Sequence, residues 1–383
     1  MSYPSALDDP DAQNMVLRPQ LREMLSAILS EHKDAVDIVF SPGRPPQIES
    51  GGQLAPVSIP GLSRLTAEDT ARIVANILGE NHYAQEKLRS EGSHDVSCSV
   101  PSVSRFRANI FSQRGSYAVV MRMIPHIVPD LKTLNLPEHV AEITGLLSGM
   151  VLVTGPTGSG KSSVLAAVLN KINKEKAYHI VTIEDPIEFI HPHKRSTVHQ
   201  RELYSDAPSF SVALRAAMRQ ASNVIMVGEM RDKETIDLAL EAAETGHLIL
   251  SALHANDAVK AVERIVGVFP PEEQQLVRNR LARSFRYIIS RRLIPAKHGA
   301  GRVAAVEILK STSRTRDHIE KGDKEGKGLV DAMRKSHSEG MQDFDSEIEK
   351  LIRSGQVDLE TGLAYCSNIA DLKLNLSDIR TLS

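Results

Sequence analysis

The run VLVTGPTGSGKSS, Val151 to Ser163, constrains this chain more than any other segment. Apolar Val151-Leu152-Val153 predicts a buried strand, and Val164 to Asn173 predicts a helix. Between them, Gly155, Pro156, Thr157, Gly158, Ser159, Gly160, Lys161, Ser162 and Ser163 form a glycine-rich turn ending in Lys-Ser. The pattern G-x-x-x-x-G-K-[ST] is met by Gly155, Gly160, Lys161 and Ser162, with the required strand before it and helix after it. Glycines let backbone N–H groups turn toward phosphate oxygens, and the helix N-terminus adds its dipole. Lys161 has the reach for terminal phosphates, and the Ser162 hydroxyl suits Mg²⁺. An accidental glycine loop would not need strand, glycines, Lys-Ser and helix to coincide.

Composition is consistent with a multi-domain ATPase of the cytoplasm. With 383 residues the expectation is two to three domains, and 41% hydrophobic residues suffice for real cores. A formal net charge of −2 gives no whole-chain reason to expect nucleic acid or a membrane. Cys98 and Cys366 lie far apart, which suits a reducing compartment and excludes a tetracysteine zinc module. No apolar run approaches the roughly 18 residues that span a bilayer, and the start, MSYPSALDDPDAQNM, lacks a signal-peptide layout.

Periodicity divides the chain. Residues 1–16 read as a flexible N-terminus. Helical spacing from Leu17 to Ser30 and a short strand at Ala35 to Phe40 are followed by turn material in SPGRPPQIESGG. A helix is expected from Glu68 to Arg89, opened by Thr66 as N-cap with Asp69 three residues on. Asp95 to Val103, Arg105 to Ser112 and Tyr117 to Ile124 read as successive strands, the last two separated by Gln113-Arg114-Gly115. This is a small α+β domain, 17–124, with a proline-rich linker at 125–137. Beyond it, strands at Gly149–Thr154, His179–Ile183, Val224–Val227 and His247–Leu253 alternate with helices at Ser162–Asn173, Ser211–Gln220 and Lys233–Thr245. An α/β domain with a mostly parallel sheet follows, at 138–310. Glu272 to Arg292 and Asp343 to Asn368 read as helical, and 311–383 as a helical C-terminal region.

Further acids and histidines stand at strand ends. Val224-Ile225-Met226-Val227 leads into Gly228-Glu229, and a carboxylate there sits beside a phosphate loop in such folds, so Glu229 is the candidate for polarising water. A helix start making surface pairs is the alternative. VTIEDPIEFIH places Glu184, Asp185 and Glu188 after another apolar strand, suited to Mg²⁺ or water, with N-capping by Asp185 as rival. In TGHLILSALHAND, His247 and His254 bracket a strand; ordinary hydrogen-bonded imidazoles are the alternative.

GPTGSGKSS, TIEDPIEF, VGEMRDKETI and ETGHLILSALHAND, in this order, resemble the Walker A, Asp box, Walker B and His box of the secretion ATPases. The chain is most similar to the type IV pilus retraction ATPases, the PilT/PilU group. RFRANIFSQRGSYAVVMRMIP, VERIVGVFPPEEQ and SEGMQDFDSEIEKLIRSGQV match further, while FIHPHKRSTVHQREL, LHANDA and MRKSHSEGMQDFD lean toward PilU. The resemblance implies a RecA-like P-loop ATPase core with a PAS-like N-terminal domain, and a homohexameric ring using ATP and Mg²⁺. It implies a partner in an inner-membrane platform protein, with a paralogous retraction ATPase as a further candidate, and a cytoplasmic location peripheral to the inner membrane. Carried over by residue, Lys161 and Ser162 bind phosphate and Mg²⁺, Glu229 is the catalytic base, Glu184 supports metal or water, Ser162, Glu184 and Glu229 are the metal residues, and His247 and His254 sense the γ-phosphate. Arg107 and Arg122 match an arginine pair brought onto the nucleotide. Two cations on adjacent strands also suit a transferring phosphoryl group on physical grounds, surface solvation being the alternative.

Three departures stand out. Asn223, in Ala221-Ser222-Asn223, replaces a usual Asp ahead of the Walker B strand, which implies weaker Mg²⁺ affinity or turnover. AVDIVF keeps Asp37 but has Val39 where His is usual, and Ser313 to Ile319 is more charged than the family's AIRNLIR segment. The rival functions are an assembly or secretion motor of the same superfamily and an accessory ring with little turnover. A DNA translocase lacks support, because no basic stripe interleaved with aromatics occurs.

Overall fold

The computed structural model describes residues 19–32, 36–50, 53–59, 63–100, 104–124, 127–299, 301–323 and 327–377. The expected flexible N-terminus, the start of the first helix at 17–18, strand residues 35 and 101–103, linker residues 125–126 and the last six residues lie outside them. Two compact units emerge. One is Met1–Val128 with Pro186–Pro192, and the other is Pro129–Asp185 with His193–Ser383.

The first unit holds α1 (Pro19–Glu31), β1 (Asp37–Phe40), β2 (Gln47–Ser50), β3 (Gln53–Pro56), α2 (Ala67–Leu78), α3 (His82–Glu91), β4 (Ser93–Val100), β5 (Ser104–Gln113) and β6 (Ser116–Ile124). Its antiparallel sheet runs β3-β2-β1-β6-β5-β4. Strict alternation decides which face is covered: in β5, Phe106, Ala108 and Ile110 are buried while Arg107 and Asn109 point the other way. Leu21, Leu25 and Ile28 of α1 and Ile73, Val74 and Ile77 of α2 share that core. Thr66 caps α2 as expected, in a reciprocal box with Asp69 worth about 1 kcal/mol. The single helix expected from Glu68 to Arg89 is two helices. Gly79 takes φ +49°, and the Asn81 side chain starts α3 by accepting from the Ala84 amide.

The second unit opens with β7 (Gly149–Thr154), α4 (Lys161–Glu175), β8 (His179–Glu184), β9 (Thr197–Glu202), α5 (Phe210–Ala217), β10 (Val224–Glu229), α6 (Lys233–Glu244) and β11 (Leu248–Leu253). It continues with α7 (Ala258–Gly267), α8 (Pro271–Ser284), β12 (Phe285–Pro295), β13 (Arg302–Lys310), α9 (Ser313–Lys321), α10 (Lys327–Lys335), α11 (Phe344–Arg353), α12 (Leu359–Tyr365) and α13 (Ile369–Asn375). The sheet order is β13-β12-β7-β11-β10-β8-β9, parallel except for the β12–β13 pair. Every residue of β7 is buried. Met150 and Leu152 face one core with α5 to α8, and Val151 and Val153 face another with α4. That two-sided burial explains why the strand is a continuous apolar run.

One sequence expectation fails here. The helical reading of Glu272–Arg292 is corrected: α8 ends at Ser284, and Phe285–Pro295 is a strand pairing with β7 and β13. The aromatic and β-branched run Phe285, Tyr287, Ile288, Ile289 is buried between two neighbours, where such residues favour pleated backbone. In the C-terminal region, Phe344, Ile348 and Leu351 of α11 pack with Ile294 and Ala305, and the Arg292 guanidinium stacks 3.9 Å from the Phe344 ring centroid.

Candidate active site

Strand β7 empties into a loop that only glycine can build at its two ends. Gly155 has φ +148° and Gly160 φ +84°. A Cβ on Gly155 would lie 2.4 Å from the Arg291 carbonyl oxygen, and one on Gly160 2.4 Å from an Arg291 guanidinium nitrogen. Helix α4 then starts at Lys161 with Gly160 as an N-cap that offers no side-chain hydrogen bond. No side-chain cap therefore competes with a ligand at the start of the helix. Ser159 Oγ is buried without a protein partner, and Ser162 and Ser163 stand half-buried on the first turn. This cradle fits a nucleotide polyphosphate. Among the described residues no cluster of three His, Cys, Asp or Glu side chains suits a metal ion. The donor set is instead that of Mg²⁺ held through a hydroxyl and phosphate oxygens.

The parallel register brings separate segments to the same edge. Thr154 pairs with Leu253, Glu229 with Ala252, and Val227 with Ile183. The loop, Glu184, Glu229 and His254 thus stand at the carboxyl ends of adjacent strands, where ligands bind in open α/β sheets. Lys161 Nζ donates to the Gly155 and Pro156 carbonyls at 3.0 Å each and lies 3.4 Å from His254 Nδ1. His254 Nε2 is 3.3 Å from Glu229 Oε1. Burial first, then the Lys161 ammonium, holds the His254 ring below its ordinary pKa, outweighing Glu229. The ring is therefore neutral near pH 7. Lysine can only donate, so Nδ1 accepts and Nε2 carries the proton toward the carboxylate; this tautomer is assigned from the network. Lys161, His254 and Glu229 stand in line from phosphate cradle to acid, the first two hydrogen-bonded and the last two in close polar contact. The second Glu229 oxygen accepts from Arg231 at 2.7 Å. Glu184 is 6% exposed and accepts from Thr182 Oγ1 at 2.7 Å and Gln200 Nε2 at 3.0 Å.

Two residues fall outside this group. His247 precedes β11 at its other end, about 23 Å from His254 at the usual rise per residue, with Nδ1 3.2 Å from the Ala242 carbonyl. Asn223 likewise precedes β10. Its Oδ1 accepts from the His179 amide at 2.9 Å and its carbonyl from Leu248 at 3.0 Å. It stitches strand starts together, at the end of β10 opposite Glu229. In the first unit, Arg107 and Arg122 are direct cross-strand partners. Each is neutralised from its outer side: Arg122 donates twice to Asp37, both at 2.8 Å, and Arg107 pairs with Asp95 at 3.2 Å.

A family model for type II/IV secretion system proteins matches residues 50–361. The chain belongs to this family. It is 41% identical over 86% of its length to the type IV pilus retraction ATPase PilT of Pseudomonas aeruginosa, covering 94% of that protein. To the type IV pilus ATPase PilU of the same organism it is 37% identical over 90% of its length, covering 89%. A crystal structure of the pilus retraction motor PilT with bound ADP superposes with a TM-score of 0.82 at 40% identity, over 92% of this chain and 99% of that one. The chain is thus a member of the PilT/PilU group of secretion ATPases with that group's α/β fold, and a nucleotide-binding ATPase by family.

For this secretion ATPase, sequence reading overlooked a support beneath the loop. Thr154 Oγ1 donates to Ser290 Oγ at 2.9 Å, which donates to Glu307 Oε1 at 3.0 Å; the Ala258 amide donates to the same oxygen at 2.7 Å. Glu307 therefore joins the root of the phosphate loop to the start of α7. The signal was a lone acid in the apolar run VAAVEIL. Burial pushes its carboxyl from the ordinary 4.5 up to about 7. The folded chain thus keeps a proton that the unfolded chain loses, so the group's stabilisation is complete below pH 4.5 and disappears as pH rises through about 7. Glu307→Gln is expected to flatten the fall in stability across that window, relative to wild type, in denaturant titrations at successive pH. An unchanged pH profile would contradict the assignment.

Proposed function

We propose that this chain is the motor subunit of a homohexameric, Mg²⁺-dependent ATPase that drives type IV pilus retraction. The observation that carries it is the Lys161–His254–Glu229 line at the mouth of a glycine-built cradle. Glu229 orients the attacking water and takes its proton, the carboxylate being steadied by Arg231 and His254. Lys161 turns from its carbonyl partners to the terminal phosphate, and His254, touching both Lys161 and Glu229, senses whether that phosphate is present. Ser162 and Glu184 are the groups that would hold Mg²⁺ and its water, the ion supplying neutralisation of phosphate charge. His247 has no part in this reading, because the strand separates it from the reaction. Arg107 and Arg122 serve the transferring phosphoryl group once released from Asp95 and Asp37.

No described helix is long and apolar enough to cross a membrane. In this reading the ring reaches the inner membrane through a platform protein, with a paralogous ATPase as a second partner. The domain division of 17–124 and 138–310 with a helical region at 311–383 is part of the proposal, the first two parts moving against each other as ATP turns over. The accessory-ring alternative, which the PilU-like segments and Asn223 left open, differs from this reading in predicting nucleotide binding with little turnover.

Steady-state ATP hydrolysis with and without Mg²⁺, with particle mass recorded in the same buffer, tests it. Mg²⁺-dependent turnover by a particle of six chains is expected. A monomer with full turnover per chain would overturn the ring, and a ring that binds nucleotide without hydrolysing it would overturn the motor.

A further inference from the structure

Arg291 lies directly behind the phosphate loop. Strand β12 aligns Ser290 with Thr154, so the next residue passes the loop itself: the Arg291 carbonyl abuts Gly155, and its guanidinium abuts Gly160. The side chain is nearly sequestered, at 7% exposure. Among the described residues its side chain makes one hydrogen bond, a long one from Nη2 to the Leu134 carbonyl at 3.4 Å, and Nε has no partner. Among the described residues no carboxylate pairs with it, and the charged neighbour it feels is another cation, Arg302. Guanidinium does not shed its proton in proteins. The fold therefore retains a buried, uncompensated positive charge, an arrangement that costs stability unless an anion answers it. The uncapped start of α4 lies on the same loop.

We propose that Arg291 is a charge-reading residue of the nucleotide site, its guanidinium raising affinity for the polyphosphate of a nucleoside di- or triphosphate through the backbone of the loop. The proposal rests on nucleotide binding at Gly155–Ser162. It assigns Arg291 an electrostatic role, acting across Gly160, so charge should matter more than the shape of the side chain. In the ligand-free chain the same charge is a liability. Binding and stability are therefore linked in opposite directions at one residue.

The test measures Mg-ADP affinity and the ligand-free melting temperature for wild type, Arg291→Gln and Arg291→Lys, at low and high salt. Arg291→Gln is expected to bind Mg-ADP about tenfold more weakly at low salt, with a shallower salt dependence and an unchanged or higher melting temperature. Arg291→Lys keeps the charge and should stay within about threefold of wild type. Equal affinity in wild type and Arg291→Gln overturns the proposal. So does Arg291→Lys binding as weakly as Arg291→Gln, which would make the residue a geometric strut for the Leu134 segment. If wild type itself takes up no Mg-ADP, the nucleotide reading fails along with it, and that result is distinguishable because it precedes any variant.

Discussion

Glu229→Gln is expected to lower steady-state ATP hydrolysis by about 10²- to 10⁴-fold, the usual scale for losing a positioned base, while Mg-ATP affinity stays within a few-fold. The two halves of that expectation have different origins. An amide keeps the shape of the side chain and one oxygen for Arg231 or His254, so the neighbourhood seen around Glu229 survives. What disappears is the basic oxygen able to take a proton from water. Lys161 and the amides of the loop are untouched, so phosphate binding persists. Single-turnover hydrolysis alongside equilibrium binding separates the two; a variant that hydrolyses at the wild-type rate would remove Glu229 from the chemistry.

Replacing Arg107 and Arg122 together by Ala is expected to reduce turnover per site by about 10³-fold, at the low end of what a phosphoryl-directed arginine contributes. Each arginine now spends its charge on an aspartate: Asp37 for Arg122, and Asp95 for Arg107. The Asp37 contact raises the Arg122 pKa, hydrogen bonding coming first among the causes. These pairs are largely exposed on the arginine side, so the stability lost should be only about 1 kcal/mol each. A large kinetic defect with a small stability defect is therefore the signature. Circular dichroism melts beside hydrolysis rates decide it, and turnover unchanged in the double variant would leave the arginines as solvated surface charges.

The parts legible from sequence were those written in local patterns. Strand β7 was readable because burial on both faces demands an uninterrupted apolar run, and the loop because Gly155 and Gly160 stand where any Cβ would collide. Thr66 announced α2 by the capping box that it makes. What was not legible depended on distant partners. Nothing local in Phe285–Pro295 says that β7 and β13 flank it, so a helical reading ran on past Ser284. The break at Gly79 was audible only in its glycine and the following Asn81. In the site, motif order placed Glu229 and His254 at the carboxyl ends of strands, and the bracketing of β11 by His247 and His254 already put the two histidines at opposite ends. The Lys161–His254 contact joins residues 93 apart in the chain, and Glu307 reaches the loop only through Ser290. Such contacts exist only once the sheet has formed.

Strands β7, β8, β10 and β11 all run the same way, and this gives the second unit a polarity with consequences for how its sequence can change. At one rim the loops answer to a reaction, and a shift of a single atom there alters a rate. At the other, Asn223, His179 and His247 tie the strand starts together through backbone bonds and through their own side chains, the Asn223 amide oxygen among them. A substitution at that rim acts on the folding of the sheet before it acts on the nucleotide.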